Sequence, residues 1–125
     1  MKIYLAGPMR GYANFNKPAF MAAAAELKAL GHNVFNPVEE TIKIYGAGVY
    51  EDNPAGDEGI TPINPRLVFF NDLAFICLHA DAVVLLPGWQ ASKGATAENA
   101  VAIALGAAAG VAVYEFADFI GRGAQ

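Results

Sequence analysis

The stretch from Asp81 to Gly106 constrains the fold more than any other part of the chain. Residues 82–86, Ala-Val-Val-Leu-Leu, form a continuous apolar run of strand length that ends at Pro87-Gly88. Such a run reads as a strand buried on both faces, the habit of parallel sheets. A short polar loop follows, and an Ala-rich helix is expected to begin near Gly94. From Ala95 to Gly106 its only polar side chains are Thr96, Glu98 and Asn99. A helix apolar almost all round is covered on most faces. A carboxylate within it is costly unless it is paired or used, so Glu98 needs a reason.

The rest of the chain alternates in the same way. Residues 3–6 read as a short strand ended by Gly7-Pro8, and residues 9–16 as a loop carrying Arg10. Asn16 and Pro18 have the form of a cap and a first-turn proline. Phe20, Ala23, Ala24, Leu27 and Leu30 then recur at helical spacing before Gly31 supplies the stop. Residues 33–36 are a second short strand, closed by Pro37. Asn64-Pro65 opens another helix that runs to about His79, with Val68, Phe69, Leu73, Ile76 and Cys77 on one face. Residues 111–114 are a final strand, and residues 121–125 a frayed tail.

Strands alternating with helices predict an α/β fold. The expectation is one domain over residues 1–125, a three-layer flavodoxin- or Rossmann-like fold with a mainly parallel sheet of four to five strands. Ligands of such sheets sit beyond the carboxyl ends of the strands, where strand order reverses. Residues 7–16, the region after Pro37 and residues 87–94 should therefore converge. Residues 46–62 stand apart, because Gly46, Gly48, Gly56 and Gly59 and Pro54 and Pro62 interleave with Glu51, Asp52, Asp57 and Glu58. That is the composition of a mobile acidic surface loop. It is read first as a lid over the site, and otherwise as a plain insertion.

Composition narrows the partners. Hydrophobic residues make up 55% of the chain and charged ones 16%, which describes a globular chain. A net charge of −4 argues against a nucleic-acid polymer as partner. A small anion stays open, since one Arg and a helix N-terminus suffice for a single phosphate. Cys77 is the only cysteine, and His32 and His79 have no partner at ligand spacing, so neither a metal nor another cofactor is expected. The segment from Gly7 to Gly11 does not fit the G-x-G-x-x-G dinucleotide pattern. With no leader pattern and no uninterrupted membrane-spanning run, no membrane partner is expected and the expected location is cytoplasmic. The apolar bias of so short a chain hints at surface buried against copies of itself.

The chemistry-bearing candidates follow. Glu98 has Gly94 and Ala95 four and three positions before it on the same face, and helical side chains lean that way, which leaves room for a ligand. A carboxylate in a dry pocket can attack an electron-poor carbon, and the helix dipole should help keep it ionised; the plain alternative is an exposed first- or second-turn Glu favoured by the dipole. Asp72 falls mid-helix among apolar neighbours, either as a functional group or in a buried ion pair with Arg66 or Arg10. Ser92 with Gly94 opens the helix and either cradles a phosphate with the first-turn N–H groups or is an ordinary cap. Arg10 could supply a cation to the same anion, Tyr4 could aim its hydroxyl into the strand-end cleft, and Trp89 could stack on a ring or cap the core.

Residues 3–8 (Ile-Tyr-Leu-Ala-Gly-Pro), Asn71-Asp72-Leu73, and residues 81–98, taken together in order and spacing, resemble the nucleoside 2-deoxyribosyltransferase superfamily. The likeness is nearest to its small members of the DUF4406 type, common in phages and bacteria, and to the deoxynucleoside 5′-monophosphate N-hydrolases. It covers most of the chain but excludes residues 46–62 and the tail. The resemblance implies a carboxylate nucleophile at Glu98, a base-handling carboxyl at Asp72 and a tyrosine beside the nucleophile at Tyr4. Six residues before the nucleophile the transferases carry an Asp for the sugar 5′-hydroxyl, whereas the monophosphate hydrolases carry a Ser. This chain has Ser92 there, and Arg10 resembles the basic residue that follows the first strand in the hydrolases.

The expectation is therefore an N-glycosidase acting on a nucleoside 5′-monophosphate, with Glu98, Asp72 and Tyr4 catalytic. Ser92, Gly94, Arg10, Gly7, Pro8 and Trp89 are expected to bind substrate. The alternatives are a base-exchanging transferase on nucleosides and a non-catalytic nucleotide-binding module. The resemblance also implies a homo-oligomer, a dimer or higher.

Overall fold

A computed structural model describes residues 1–123. Its four strands, β1 (Lys2–Ala6), β2 (Asn33–Phe35), β3 (Ala82–Leu85) and β4 (Ala112–Glu115), form one all-parallel sheet in the order β2-β1-β3-β4. Tyr4 lies opposite Phe35 on one side and Val83 on the other. Strand order reverses between β1 and β3, so the crevice at their carboxyl ends is where a ligand site is expected in this architecture.

Five helices cover the sheet: α1 (Lys17–Ala29), α2 (Pro37–Tyr45), α3 (Pro65–Leu78), α4 (Lys93–Ala109) and α5 (Phe116–Gly123). The period-two alternation of the strands divides the core in two. Ile3, Leu5, Ala82 and Val84 pack with Phe20, Ala24 and Leu27 of α1, Val38 of α2 and Phe119 of α5. Tyr4, Ala6, Val83 and Leu85 pack with Ile76 of α3 and Ala95 and Ala102 of α4. The result is a three-layer α/β domain, as the alternation of the sequence predicts. No helix among the described residues is long and apolar enough to cross a membrane.

Two helices were not expected. Pro37, read as the end of β2, instead opens α2, where the Asn36 side chain accepts a hydrogen bond from the Val38 N–H at 3.0 Å. Glu39 and Glu40 in its first turn and Lys43 in its last complement the helix dipole. α5 takes up residues 121–123 of the expected tail; residues 124 and 125 lie outside the described residues. Leu30 and Cys77, assigned to buried helix faces, are exposed.

Asn16 does not cap α1. Its backbone is left-handed at φ 61°, no side-chain cap bond forms, and its Nδ2 instead donates to the Pro8 carbonyl at 3.1 Å. Asn14 and Phe15 are left-handed too, at φ 48° and 57°. For a bulky Phe this is an unfavourable region. Its side chain is nonetheless fully buried, tilted against Tyr50 at 4.8 Å between ring centroids.

Residues 46–62 form a folded strap, not a free loop. The Gly11 N–H donates to the Gly56 carbonyl at 3.1 Å, and the Asn14 N–H to the Asn53 carbonyl at 2.8 Å. Asn53, almost wholly buried, returns the contact by donating its N–H to Asn14 Oδ1 at 2.9 Å. Gly56 is required where it stands: at φ 60°, a Cβ there would lie 2.3 Å from the Tyr12 carbonyl oxygen.

Candidate active site

One cavity of about 320 Å³ opens at the crevice between the carboxyl ends of β1 and β3, at the small end of the range of small-molecule sites. Met9 and Arg10 reach it from the loop after β1, and residues 91–94 from the loop after β3. The region after Pro37 adds Pro37 itself, and the strap adds Tyr50 and Glu58. Two of the three expected loops converge there, with Pro37 at the start of α2 standing for the third, and the strap joins them.

Two carboxyls stand at its floor. Glu98 projects from the second turn of α4 and is only 6% exposed; Asp72 projects from the middle of α3 and is 7% exposed. Between them lies Tyr4 of β1, whose hydroxyl donates to Glu98 Oε2 at 2.6 Å. Asp72 lies near enough to the same hydroxyl for the two groups to act on each other's ionisation, while the hydroxyl's hydrogen bond goes to Glu98. An O–H···O contact this short is typical of a charge-assisted bond to a carboxylate. The buried Tyr4 ring is held by Phe35, stacked at 5.4 Å, and by Phe75 at 6.5 Å.

Burial governs the ionisation of all three groups. It lifts the Glu98 carboxyl to about 8, against the opposing pull of the Tyr4 hydrogen bond, and the nearby Asp72 charge adds to the rise. It lifts Asp72 to about 7, again opposed by Tyr4. Tyr4 itself is raised well above the ordinary phenol value, by burial first and the two carboxylates second, so it remains a proton donor at any physiological pH. The helix dipole was expected to keep Glu98 ionised; desolvation outweighs it. Two such close carboxyls titrate as a pair, and near neutral pH the pair retains one proton.

Space for a ligand lies next to Glu98. A Cβ built on Gly94 would meet nothing within 4 Å, and Ala95 presents only a methyl group. Ser92 caps α4, its Oγ accepting from the Ala95 N–H at 3.2 Å, so the ordinary reading of this Ser holds. It leaves the N–H groups of Lys93 and Gly94 without intrahelical partners, as at any helix start, and both residues line the cavity. Arg10 is held by Glu58 at 3.0 Å, with its side chain 66% exposed. Among the described residues Asp72 thus forms no ion pair with Arg66 or Arg10, and Arg10 pairs with the strap.

Six of the nine candidates meet in the cavity: Tyr4, Asp72, Glu98, Arg10, Ser92 and Gly94. Gly7, Pro8 and Trp89 do not line it. Gly7 is small because a Cβ there would lie 2.8 Å from Leu86 Cβ. Pro8 offers its carbonyl to Asn16. Trp89, in a 3₁₀ turn (Trp89–Ala91), packs on the α3–α4 side of the core and directs Nε1 toward Glu115 at 3.4 Å. Phe15, Tyr50, Glu58 and Lys93 were not anticipated. The run Asn14-Phe15-Asn16 gave a partial signal for Phe15, since Asn tolerates left-handed backbone. Nothing local marked Tyr50, whose burial depends on the strap folding back. Among the described residues no group of acidic, His or Cys side chains is placed to hold a metal ion.

The family model for DUF4406, a domain of unknown function, matches residues 1–110, and the chain belongs to that family. No curated protein and no solved structure matches it.

Proposed function

We propose that this DUF4406 domain is an N-glycosidase of the nucleoside 2-deoxyribosyltransferase-like type that cleaves the base–sugar bond of a nucleoside 5′-monophosphate, with Glu98 as nucleophile. One observation carries the reading: a buried carboxyl at the cavity floor accepts a 2.6 Å hydrogen bond from a tyrosine, with a second buried carboxyl lining the same cavity. A carboxyl kept in this setting at a cost to the fold is the usual mark of a group in use.

The working form carries one proton on the pair. Before substrate enters, that proton rests on Glu98, the higher of the two at about 8 against about 7 for Asp72. Attack requires the form in which it has moved to Asp72, and the short bond from Tyr4 supports the negative charge this leaves on Glu98. A Glu98 oxygen attacks C1′ as the C1′–N bond breaks, and its electron pair leaves with the base. Asp72 gives its proton to the departing base. Water then attacks C1′, the C1′–Glu98 bond breaks, and Asp72 takes the proton from the water. Free base and sugar 5-phosphate result, and both carboxyls return to their starting state. A separation of roles between two carboxyls of differing environment is how such pairs divide acid and nucleophile work.

The phosphate preference rests on the rim. Ser92, the first-turn N–H groups of Lys93 and Gly94, and Arg10 all border the cavity, and an acidic residue at position 92 would repel what this rim attracts. The test is a panel of nucleosides and their 5′-monophosphates, scored for released base. Release from a monophosphate, with little from its nucleoside, is expected. Turnover that requires an added acceptor base and ignores the phosphate would make the protein a transferase. Binding of nucleotides with no release from any substrate would make it a binding module.

A further inference from the structure

The α3 wall of the cavity carries a row of side chains that the chemistry at Glu98 leaves without a role. Pro65, Val68, Phe69 and Asp72 all line the cavity. The first three stand seven, four and three positions before Asp72, so the row shares one face of α3. Helical side chains lean toward the N-terminus, which carries the Asp72 carboxyl over Val68 and Phe69. The rim that attracts a phosphate belongs to other elements, the loop after β1 and the start of α4.

Phe69 differs from the other aromatic residues of this cavity. Tyr4 stacks on Phe35 at 5.4 Å between ring centroids, and Phe15 tilts against Tyr50 at 4.8 Å. Tyr4, Phe15 and Tyr50 are at most 2% exposed, so their rings are already covered. Phe69 is 36% exposed, makes no ring contact among the described residues, and belongs to neither core cluster. Its neighbour Val68 packs on the cluster that holds Phe15 and Tyr50, which fixes the turn of helix that carries it. An aromatic face left open on a cavity wall gains burial only when a ligand covers it. The surroundings are apolar as well, since Phe15, Pro37, Pro65, Val68 and Phe69 bring no hydrogen-bonding side-chain group to the cavity.

We propose that Phe69 is the platform on which the base of the nucleoside 5′-monophosphate stacks, and that the site recognises the base by its face more than by its edge. The proposal rests on the glycosidase reading and extends it to the base. With C1′ at Glu98 and the leaving nitrogen at Asp72, the base extends from the sugar toward α3, where Phe69 stands one turn before the acid. The phosphate extends away from it, toward Ser92 and Arg10. Stacking on an aromatic side chain tolerates base identity, because every base has a π-face. Of the side chains on the α3 side of the cavity, Asp72 and Tyr50 alone can hydrogen-bond a base edge, and Tyr50 is buried. A pocket that reads by apolar contact discriminates by about 100-fold, whereas one built to hydrogen-bond an edge reaches about 10⁴-fold.

Calorimetry in the Glu98→Gln background, where ligands bind without turnover, tests it with a nucleoside 5′-monophosphate and with 2-deoxyribose 5-phosphate, which lacks the base. Phe69→Ala is expected to weaken the nucleotide by about 10- to 100-fold, the range for one stacked base, and to leave the sugar phosphate unchanged. Phe69→Tyr keeps the ring and should retain the starting affinity, with far-UV circular dichroism unchanged in both variants. An unchanged nucleotide affinity in Phe69→Ala, or an equal loss for both ligands, overturns the platform. Monophosphates of the four common bases should bind within about 100-fold of one another; a wider spread overturns recognition by the face. The chemistry fails separately. A wild type that releases no base, while Phe69→Ala still loses the nucleotide selectively, ends the glycosidase reading and keeps the platform; no nucleotide binding at all ends both.

Discussion

Glu98 destabilises the protein that carries it wherever the carboxyl is charged. Its folded-state value is raised from the ordinary 4.5 to about 8, so the folded protein holds this proton more tightly than the unfolded chain does. The associated stability is complete below about pH 4.5 and is lost as pH rises toward 8. At roughly 1.4 kcal/mol per unit of displacement this amounts to a few kcal/mol. Glu98→Gln keeps the shape and removes the charge. The variant should therefore melt on the order of 10 °C or more above the wild type at pH 9, and close to it at pH 5. Equal melting temperatures across that range would mean the carboxyl is solvated. Tyr4→Phe keeps the ring contacts with Phe35 but deletes the hydroxyl that holds the Glu98 value down. The acidic limb of its pH–rate profile should move to higher pH, and kcat at pH 7 should fall by about 10- to 100-fold; an unmoved limb would separate Tyr4 from the nucleophile. At this scale the sequence was informative where an apolar context made a polar residue conspicuous, as for Glu98 and Asp72. It misled for Trp89, because an indole in a loop carries no sign of which side it packs on.

Among the elements, the strap and α2 were the least legible, for different reasons. α2 opens on Asn36-Pro37, the same signal that Asn64-Pro65 gives for α3; Pro37 was read as a strand end because both readings fit a proline at that point. The strap has no periodicity, and its structure comes from Gly11, Asn14 and Asn53 pairing over long separations. Its Glu58 occupies Arg10 at the cavity rim, in competition with any anion that enters. Glu58→Gln should lower KM for a nucleoside monophosphate by about threefold, a modest change since exposed ion pairs are worth under ~1 kcal/mol, and should leave the nucleoside unaffected. Steady-state kinetics on both substrates decides it; a higher KM for the monophosphate would make Glu58 a ligand-binding group.

At the scale of the whole molecule, the sheet order sets the site. Placing β3 beside β1 brings the loop that carries Arg10 against the start of α4, and it sets α3 and α4 together on one face so that Asp72, Glu98 and Tyr4 line one cavity. The alternation of apolar runs made that architecture readable, since four parallel strands joined by helices have few ways to cross over. The exposed apolar side chains of α3 and α4 were readable only as excess hydrophobicity, because periodicity does not say which apolar stripe meets the sheet. The central claim is a sugar–Glu98 ester, and it is tested most directly by acid-quenching the protein during turnover of a nucleoside monophosphate and locating any added mass by peptide mass spectrometry. One sugar phosphate is expected on the peptide containing Glu98, and neither adduct nor base release in Glu98→Gln. Base release by that variant at the wild-type rate, or an adduct on another residue, would contradict it.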